Sequence, residues 1–148
     1  MKNITVKNIS SSNVVLIAPN VNYRRDLAPG RVLPLEKNIF EELTFDSGFQ
    51  SMVRCGFLRV DGEQEVKEAI VVDNEDKILS YEEVKEIYAN KDFTTFAKTI
   101  VNAPQATKDN FVKAAIDMNV VDNGFTALIK KYCGVDVFEA LNIKHQTV

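Results

Sequence analysis

The sequence predicts an α+β chain: a small β-rich N-terminal module that also carries two short helices, followed by an all-helical C-terminal bundle. Two pattern changes predict it. Apolar residues recur at the two-residue period of half-buried strands as far as residue 35, and beyond residue 80 only at the three- and four-residue spacings of helices. Charge also divides the chain, because all five arginines (Arg24, Arg25, Arg31, Arg54, Arg59) precede residue 62 and the remainder is basic only through lysine. Residues 1–62 hold eight basic and six acidic residues, about +2, and residues 63–148 hold ten and fifteen, about −5, which predicts two different surfaces.

Ile4 and Val6 alternate with Thr5 and Lys7, and Ser10-Ser11-Ser12-Asn13 supplies turn chemistry before Val14-Val15-Leu16-Ile17, so a β-hairpin is expected there. Tyr23, Arg25 and Leu27 alternate with Asn22, Arg24 and Asp26 as a third strand. It ends at Pro29-Gly30, where proline presets the first central turn position and glycine accepts positive φ at the second. A fourth strand, Arg31 to Leu35, is expected to pair back across that turn. Past Pro34 the period lengthens. Ile39, Phe40 and Leu43 share one helical face, then Asp46 or Ser47 caps a helix with Phe49, Met52 and Val53 inward. Gly56 ends it, and Phe57 to Val60 returns as a strand before the Asp61-Gly62 turn, which places the module boundary at residue 62.

Residues 63–79 read as an acidic linker holding one short strand, Ala69 to Val72, and a loop at Asp73-Asn74-Glu75-Asp76. Residues 80–148 read as four or five short helices. Ser80 with Glu83 and Asp136 with Glu139 are capping-box pairs, Asp92 is a further cap, Pro104 interrupts, and Gly134 stops the helix that carries Phe125, Leu128, Ile129, Tyr132 and Cys133. The inner faces of the others hold Tyr81, Val84 and Tyr88, then Phe93, Phe96, Ala97, Ile100 and Val101, then Phe111, Val112, Ala115 and Ile116.

At 148 residues, 45% apolar and 26% charged, the chain suits one or two globular units. Met1-Lys2-Asn3-Ile4-Thr5-Val6 lacks the apolar core of a signal peptide, and no later run reaches the roughly 20 apolar residues of a membrane span, so synthesis in the cytosol and no membrane partner are expected. Cys55 and Cys133 are too few for a disulfide framework and read as reduced, partly buried thiols.

Catalysis requires a nucleophile, a base and a charge-stabilising group held together. The available pair is Cys133 with His145, but Cys133 falls on an apolar helix face and His145 close to the chain end, so the chain is expected not to be an enzyme. The acidic clusters Glu63/Glu65/Glu68 and Asp73/Glu75/Asp76 lack calcium-loop register, and no phosphate-cradling glycine motif occurs, so neither metal nor cofactor is expected. A helix-turn-helix from Phe111 to Tyr132 would make the chain a nucleic-acid-binding regulator, the rival reading. Its second helix is basic only at Lys130 and Lys131, near its C-terminal end, whereas recognition helices read bases from their N-terminal part. Nucleic acid is therefore not the expected partner.

The candidate partner-binding residues are Tyr23, Arg24, Arg25 and Arg31, which flank the Pro29-Gly30 turn and are expected to cluster at one end of the sheet. Arginine's planar fork pairs with carboxylates and stacks on aromatics, and both uses favour it in interfaces.

The run Val21-Asn22-Tyr23-Arg24-Arg25-Asp26-Leu27-Ala28-Pro29-Gly30-Arg31-Val32-Leu33-Pro34-Leu35, continuing through Glu42-Leu43 and Phe49-Gln50-Ser51-Met52-Val53-Arg54-Cys55-Gly56-Phe57-Leu58-Arg59-Val60, resembles the small β modules of tailed-bacteriophage virion proteins. Tyr132-Cys133-Gly134-Val135-Asp136-Val137-Phe138-Glu139-Ala140-Leu141 is similar to the C-terminal ends of uncharacterised phage proteins. The resemblance spans most of residues 1–60 and 91–143. It implies a virion structural protein made in the host cytoplasm and present in many copies, either a capsid-associated decoration or auxiliary protein or a head–tail component. Its partners would be other virion structural proteins, the major capsid or tail protein among them, and it transfers no catalytic residue.

Overall fold

The structure, a computed structural model, describes residues 3–72 and 75–146, with Asp76, His145 and Gln146 described by their backbone alone. It is mixed α+β, with strands confined to the N-terminal part and most helices C-terminal. Two compact units divide between Glu75 and Asp76.

The first unit contains β1 (Ile4–Asn8), β2 (Val14–Ala18), β3 (Tyr23–Leu27), β4 (Val32–Leu35) and β5 (Leu58–Asp61), with α1 (Lys37–Thr44) and α2 (Ser47–Arg54) before β5 and the single turn and a half of α3 (Gln64–Glu68) after it. The five strands expected before residue 62 form, but their partners differ from the expectation. β1 does not make a hairpin with β2. It is the middle strand of β4-β1-β5, antiparallel to both neighbours, while β2 pairs with β3 in a separate two-stranded sheet.

The serine run explains the change. Asn8, fully buried, donates from Nδ2 to the carbonyls of Ser12 (2.7 Å) and Leu27 (2.9 Å), and its Oδ1 accepts from Ser10 N–H (2.9 Å) and Ser10 Oγ (2.7 Å). These bonds curl residues 8–12 into a corner that sends the chain away from β1. Both edges of β1 are then taken, since Asn8 N–H bonds Arg31 O and Ile9 N–H bonds Phe57 O, each at 3.0 Å.

The Pro29-Gly30 turn forms as its chemistry requires, with Arg31 N–H on Ala28 O at 3.1 Å and Gly30 at φ +79°, a conformation that strains any residue with a Cβ. It does not close a β3–β4 hairpin. Gly30 N–H donates to Asn8 O at 2.8 Å, so the turn is tied to β1 and carries the chain from one sheet to the other.

The two sheets share a core. Val6, Leu16, Leu43, Phe49 and Leu58 are its least exposed members, and α1 contributes Phe40 and α2 Val53. Asp46 caps α2 by accepting from Phe49 N–H at 3.1 Å. No strand forms at Ala69 to Val72. Ile70 is buried in this core, Val72 is packed against it and Val71 is 69% exposed, so the alternation is real, but no described strand pairs with the segment. Residues 64–68, within the expected linker, are helical, and Glu75–Lys77 make a short 3₁₀ turn; Asp73 and Asn74 of the expected acidic loop lie outside the described residues.

Recounting charge by unit removes the asymmetry: nine basic and eleven acidic residues precede position 76, and nine and ten follow. The acidic excess came from residues 63–75, which fall in the first unit.

The second unit contains α4 (Tyr81–Ala89), α5 (Phe93–Ile100), α6 (Gln105–Asp117), α7 (Asn123–Cys133) and α8 (Val137–Gln146). The Ser80–Glu83 capping box is complete in both directions. Ser80→Ala is expected to cost about 1 kcal/mol of the second unit's stability, readable as a lower denaturant midpoint with unchanged slope. Asp92 and Asp122 cap α5 and α7, and Gly134 ends α7 in the left-handed conformation at φ +72°. The core centres on Phe96, whose ring lies 4.9 Å from Phe125, 5.1 Å from Phe111, 5.9 Å from Tyr88 and 6.1 Å from Phe93. Tyr88 satisfies its buried hydroxyl on Phe111 O at 2.7 Å.

Candidate functional site

β3 pairs Tyr23, Arg25 and Leu27 with the buried Ala18, Leu16 and Val14 of β2, and pairs Arg24 and Asp26 with Ile17 and Val15, which are 44% and 36% exposed. The pleat therefore points Tyr23, Arg25 and Leu27 towards the core side and Arg24 and Asp26 outwards. Each pair closes on its own face. The Arg25 guanidinium lies over the Tyr23 ring, 4.9 Å from its centroid, and Arg24 meets Asp26 at 3.8 Å.

Tyr23 packs against the first unit's core, and this partial burial raises its hydroxyl pKa while nearby Arg25 works in the lowering direction. Arg25 also donates from Nη1 to Arg24 O at 2.8 Å. Although Arg25 is on the core side of the pleat, it is exposed, as are Arg24 and Asp26. Three consecutive exposed residues in a strand mark an edge. In the sheets of the described residues β3 pairs with β2 alone, so one side of it carries no ladder.

Of the four sequence-selected residues the structure brings Tyr23 and Arg25 into contact. It turns Arg24 to the opposite face and leaves Arg31 beyond the Ala28–Arg31 turn, at the entry to β4 in the other sheet. Among the described residues neither Arg25 nor Arg31 has a carboxylate partner. The Arg24–Asp26 pair, with both side chains about 70% exposed, adds little stability but holds the two groups on one face.

A second feature escaped the sequence. A cleft of about 270 Å³ runs beside α6 between Lys108, Val112 and Ile116 on one side and Cys133 and Val135 of the α7–α8 joint on the other, with Lys113 and Asp117 at its rim. Asp117 accepts from Tyr81 Oη and pairs with Lys113 at 3.5 Å. Burial pushes the Asp117 carboxyl up, and these partners with Lys144 outweigh it, leaving it below its ordinary value. Burial, opposed by Lys108 and helped by Asp109, pushes the Cys133 thiol up to about 11. The His145 side chain, the base considered with this thiol, lies outside the described residues.

A pKa near 11 leaves roughly one thousandth of Cys133 as thiolate at pH 8, and the thiolate is the nucleophile. Alkylation by iodoacetamide at pH 8, followed by peptide mass spectrometry, is expected to be at least about a hundredfold slower at Cys133 in the folded protein than in urea. Equal rates would show a thiol no less ionised or accessible than in the unfolded chain.

The α6–α7 pair has the expected helices, joined by residues 118–122. The first two turns of α7, Asn123 to Leu128, contain no lysine or arginine, and Lys130 and Lys131 are in its last turn. Sequence reasoning also passed over Phe45, 81% exposed between α1 and α2. Its signal was available: Ile39, Phe40 and Leu43 set the inward face of α1, and position 45 is off it. Among the described residues no cluster of three or more His, Cys, Asp and Glu is placed to hold a metal ion, and no helix is long and apolar enough to cross a membrane. Comparison with protein-family models, curated proteins and solved structures finds no match to this chain.

Proposed function

We propose that this chain is a non-enzymatic assembly protein of a tailed-phage virion, a capsid-associated or head–tail component that acts by protein–protein contact through the arginine-bearing edge of its first unit. The observation that carries the contact role is the Tyr23–Arg25 stack on β3, in which the exposed Arg25 guanidinium lies over the half-buried Tyr23 ring. A rigid ring seated on the core holds an un-neutralised guanidinium facing solvent, so a partner's carboxylate can dock with little loss of side-chain entropy. The phage assignment rests on the resemblance of residues 21–35, 42–43, 49–60 and 132–141 to virion proteins. The partners so implied are other virion structural proteins, with many copies per particle.

Mass spectrometry of density-purified virions of the encoding phage tests the assignment. The protein should be recovered at a copy number comparable with other minor structural components, and it should resist removal by a salt wash that strips adventitious host protein. Its absence from purified particles would overturn the proposal.

A further inference from the structure

Resting on the contact role proposed above, we infer that the open edge of β3 takes up an extended acidic segment of the partner protein as an additional strand, with a carboxylate of that segment on Arg25. Three observations converge on an acidic strand as occupant.

The edge is available. β3 pairs only with β2 among the described residues, so its other edge carries no ladder, and its run Arg24-Arg25-Asp26 is exposed. The edge strand β4 is blunted by Pro34, which has no N–H to offer, whereas β3 contains no proline. An extended peptide that adds to a sheet edge gains main-chain hydrogen bonds irrespective of its sequence.

Charge then selects the sequence. β3's edge is guarded by arginine, and such charge normally deters strand addition. Arginine deters selectively. A basic or wholly apolar strand would leave Arg25 unpaired, while an acidic residue directly across the ladder would come within about 5 Å of it, Cβ to Cβ. Asp26 already neutralises Arg24 on the outer face. The uncompensated positive charge is therefore Arg25 on the other face, followed by Arg31 past the turn.

The receiving group is prearranged. Arg25 is held over Tyr23 at 4.9 Å and by its Nη1 bond to Arg24 O, so its remaining N–H donors are offered with the fork already oriented. A residue serving only to repel other strands would need charge but not this stack.

The test uses the full chain and short capped peptides, observed by backbone amide NMR. An alternating Glu-Thr peptide should give saturable shifts largest at Tyr23 to Leu27. A Lys-Thr peptide of the same length should give none. Methylating alternate backbone nitrogens of the Glu-Thr peptide keeps its charge but removes donors on one edge. In one of the two methylation frames binding should fall at least about tenfold, and Arg25→Ala should weaken the unmodified peptide by a similar factor. Arg25→Lys, which keeps the charge and loses the fork, should recover only part of it.

Shifts that survive methylation in both frames would reduce the site to a charged surface and overturn strand addition, as would an absence of shifts at β3. If either occurs while the Arg24/Arg25/Arg31 triple alanine variant still fails to dock on its particle, strand addition falls and the contact role stands. If that variant docks normally, both fall.

Discussion

Phe96→Ala is expected to remove most of the stability of the second unit. Phe96 has no exposed surface and is the one ring that touches Tyr88, Phe93, Phe111 and Phe125 together. Truncating a buried phenylalanine costs about 3–5 kcal/mol in lost transfer energy and residual cavity, and edge-on ring pairs add about 0.5–1.5 kcal/mol each. A domain of this size is stable by only about 5–10 kcal/mol. Urea unfolding followed by side-chain NMR should therefore show the second unit's resonances collapsing several molar earlier than in the parent protein. Phe93→Ala is the control. That ring shares the cluster but is 44% exposed, so its loss should cost about 1 kcal/mol. Similar midpoints for the two variants would mean that Phe96 is not the centre of this core.

Asn8→Ala is expected to destabilise the first unit by about 3 kcal/mol, although it removes only a small polar side chain. The substitution deletes two donors and the acceptor that together bind Ser10, Ser12 and Leu27, and it strands the buried Leu27 carbonyl and the Ser10 N–H. A buried group left without its partner costs about 1–3 kcal/mol, more than a hydrogen bond contributes on average. The consequence extends to the candidate site, since the Asn8 side chain fixes the end of β3 and its backbone fixes the Ala28–Arg31 turn. Hydrogen exchange should speed up along β3 as well as in the serine corner. Faster exchange confined to Ile9–Asn13 would separate the corner from the site.

Asn8 also shows where sequence reasoning stopped. Alternation in Ile4–Lys7 and Tyr23–Leu27 identified strands, because period two follows from the pleat. Capping boxes and helical spacing located the helices of the second unit, because those signals act within a few residues. Strand partners are not local. Ser10–Asn13 and Pro29-Gly30 both have turn chemistry, yet neither closes a hairpin, since bonds from Asn8 to residues 27, 30 and 31 decide where the chain goes next. Ala69–Val72 alternates as a strand would, but among the described residues no strand pairs with it. For the site, arginine composition picked out β3, and pleat geometry then separated Arg24 from Arg25. The expected single cluster around the turn depended on β3 and β4 being paired, and they are in different sheets.

The unit boundary also bears on the nucleic-acid reading. The second unit carries nine basic and ten acidic residues, so its net charge alone does not repel phosphate strongly. The distribution matters more. The N-terminal turns of α7, where a recognition helix would read bases, have no cation.

The most direct test of the contact role is docking of the Arg24/Arg25/Arg31 triple alanine variant onto particles lacking the protein, measured by cosedimentation against the parent chain. All three side chains are exposed, so each substitution should change stability by no more than about 0.5 kcal/mol, which an unchanged unfolding midpoint would verify. Docking should weaken by tenfold or more while the fold persists, with triple lysine restoring only part of it. A triple alanine variant that docks with the affinity and salt dependence of the parent would show that β3 is a solvated edge and that the contact surface is elsewhere.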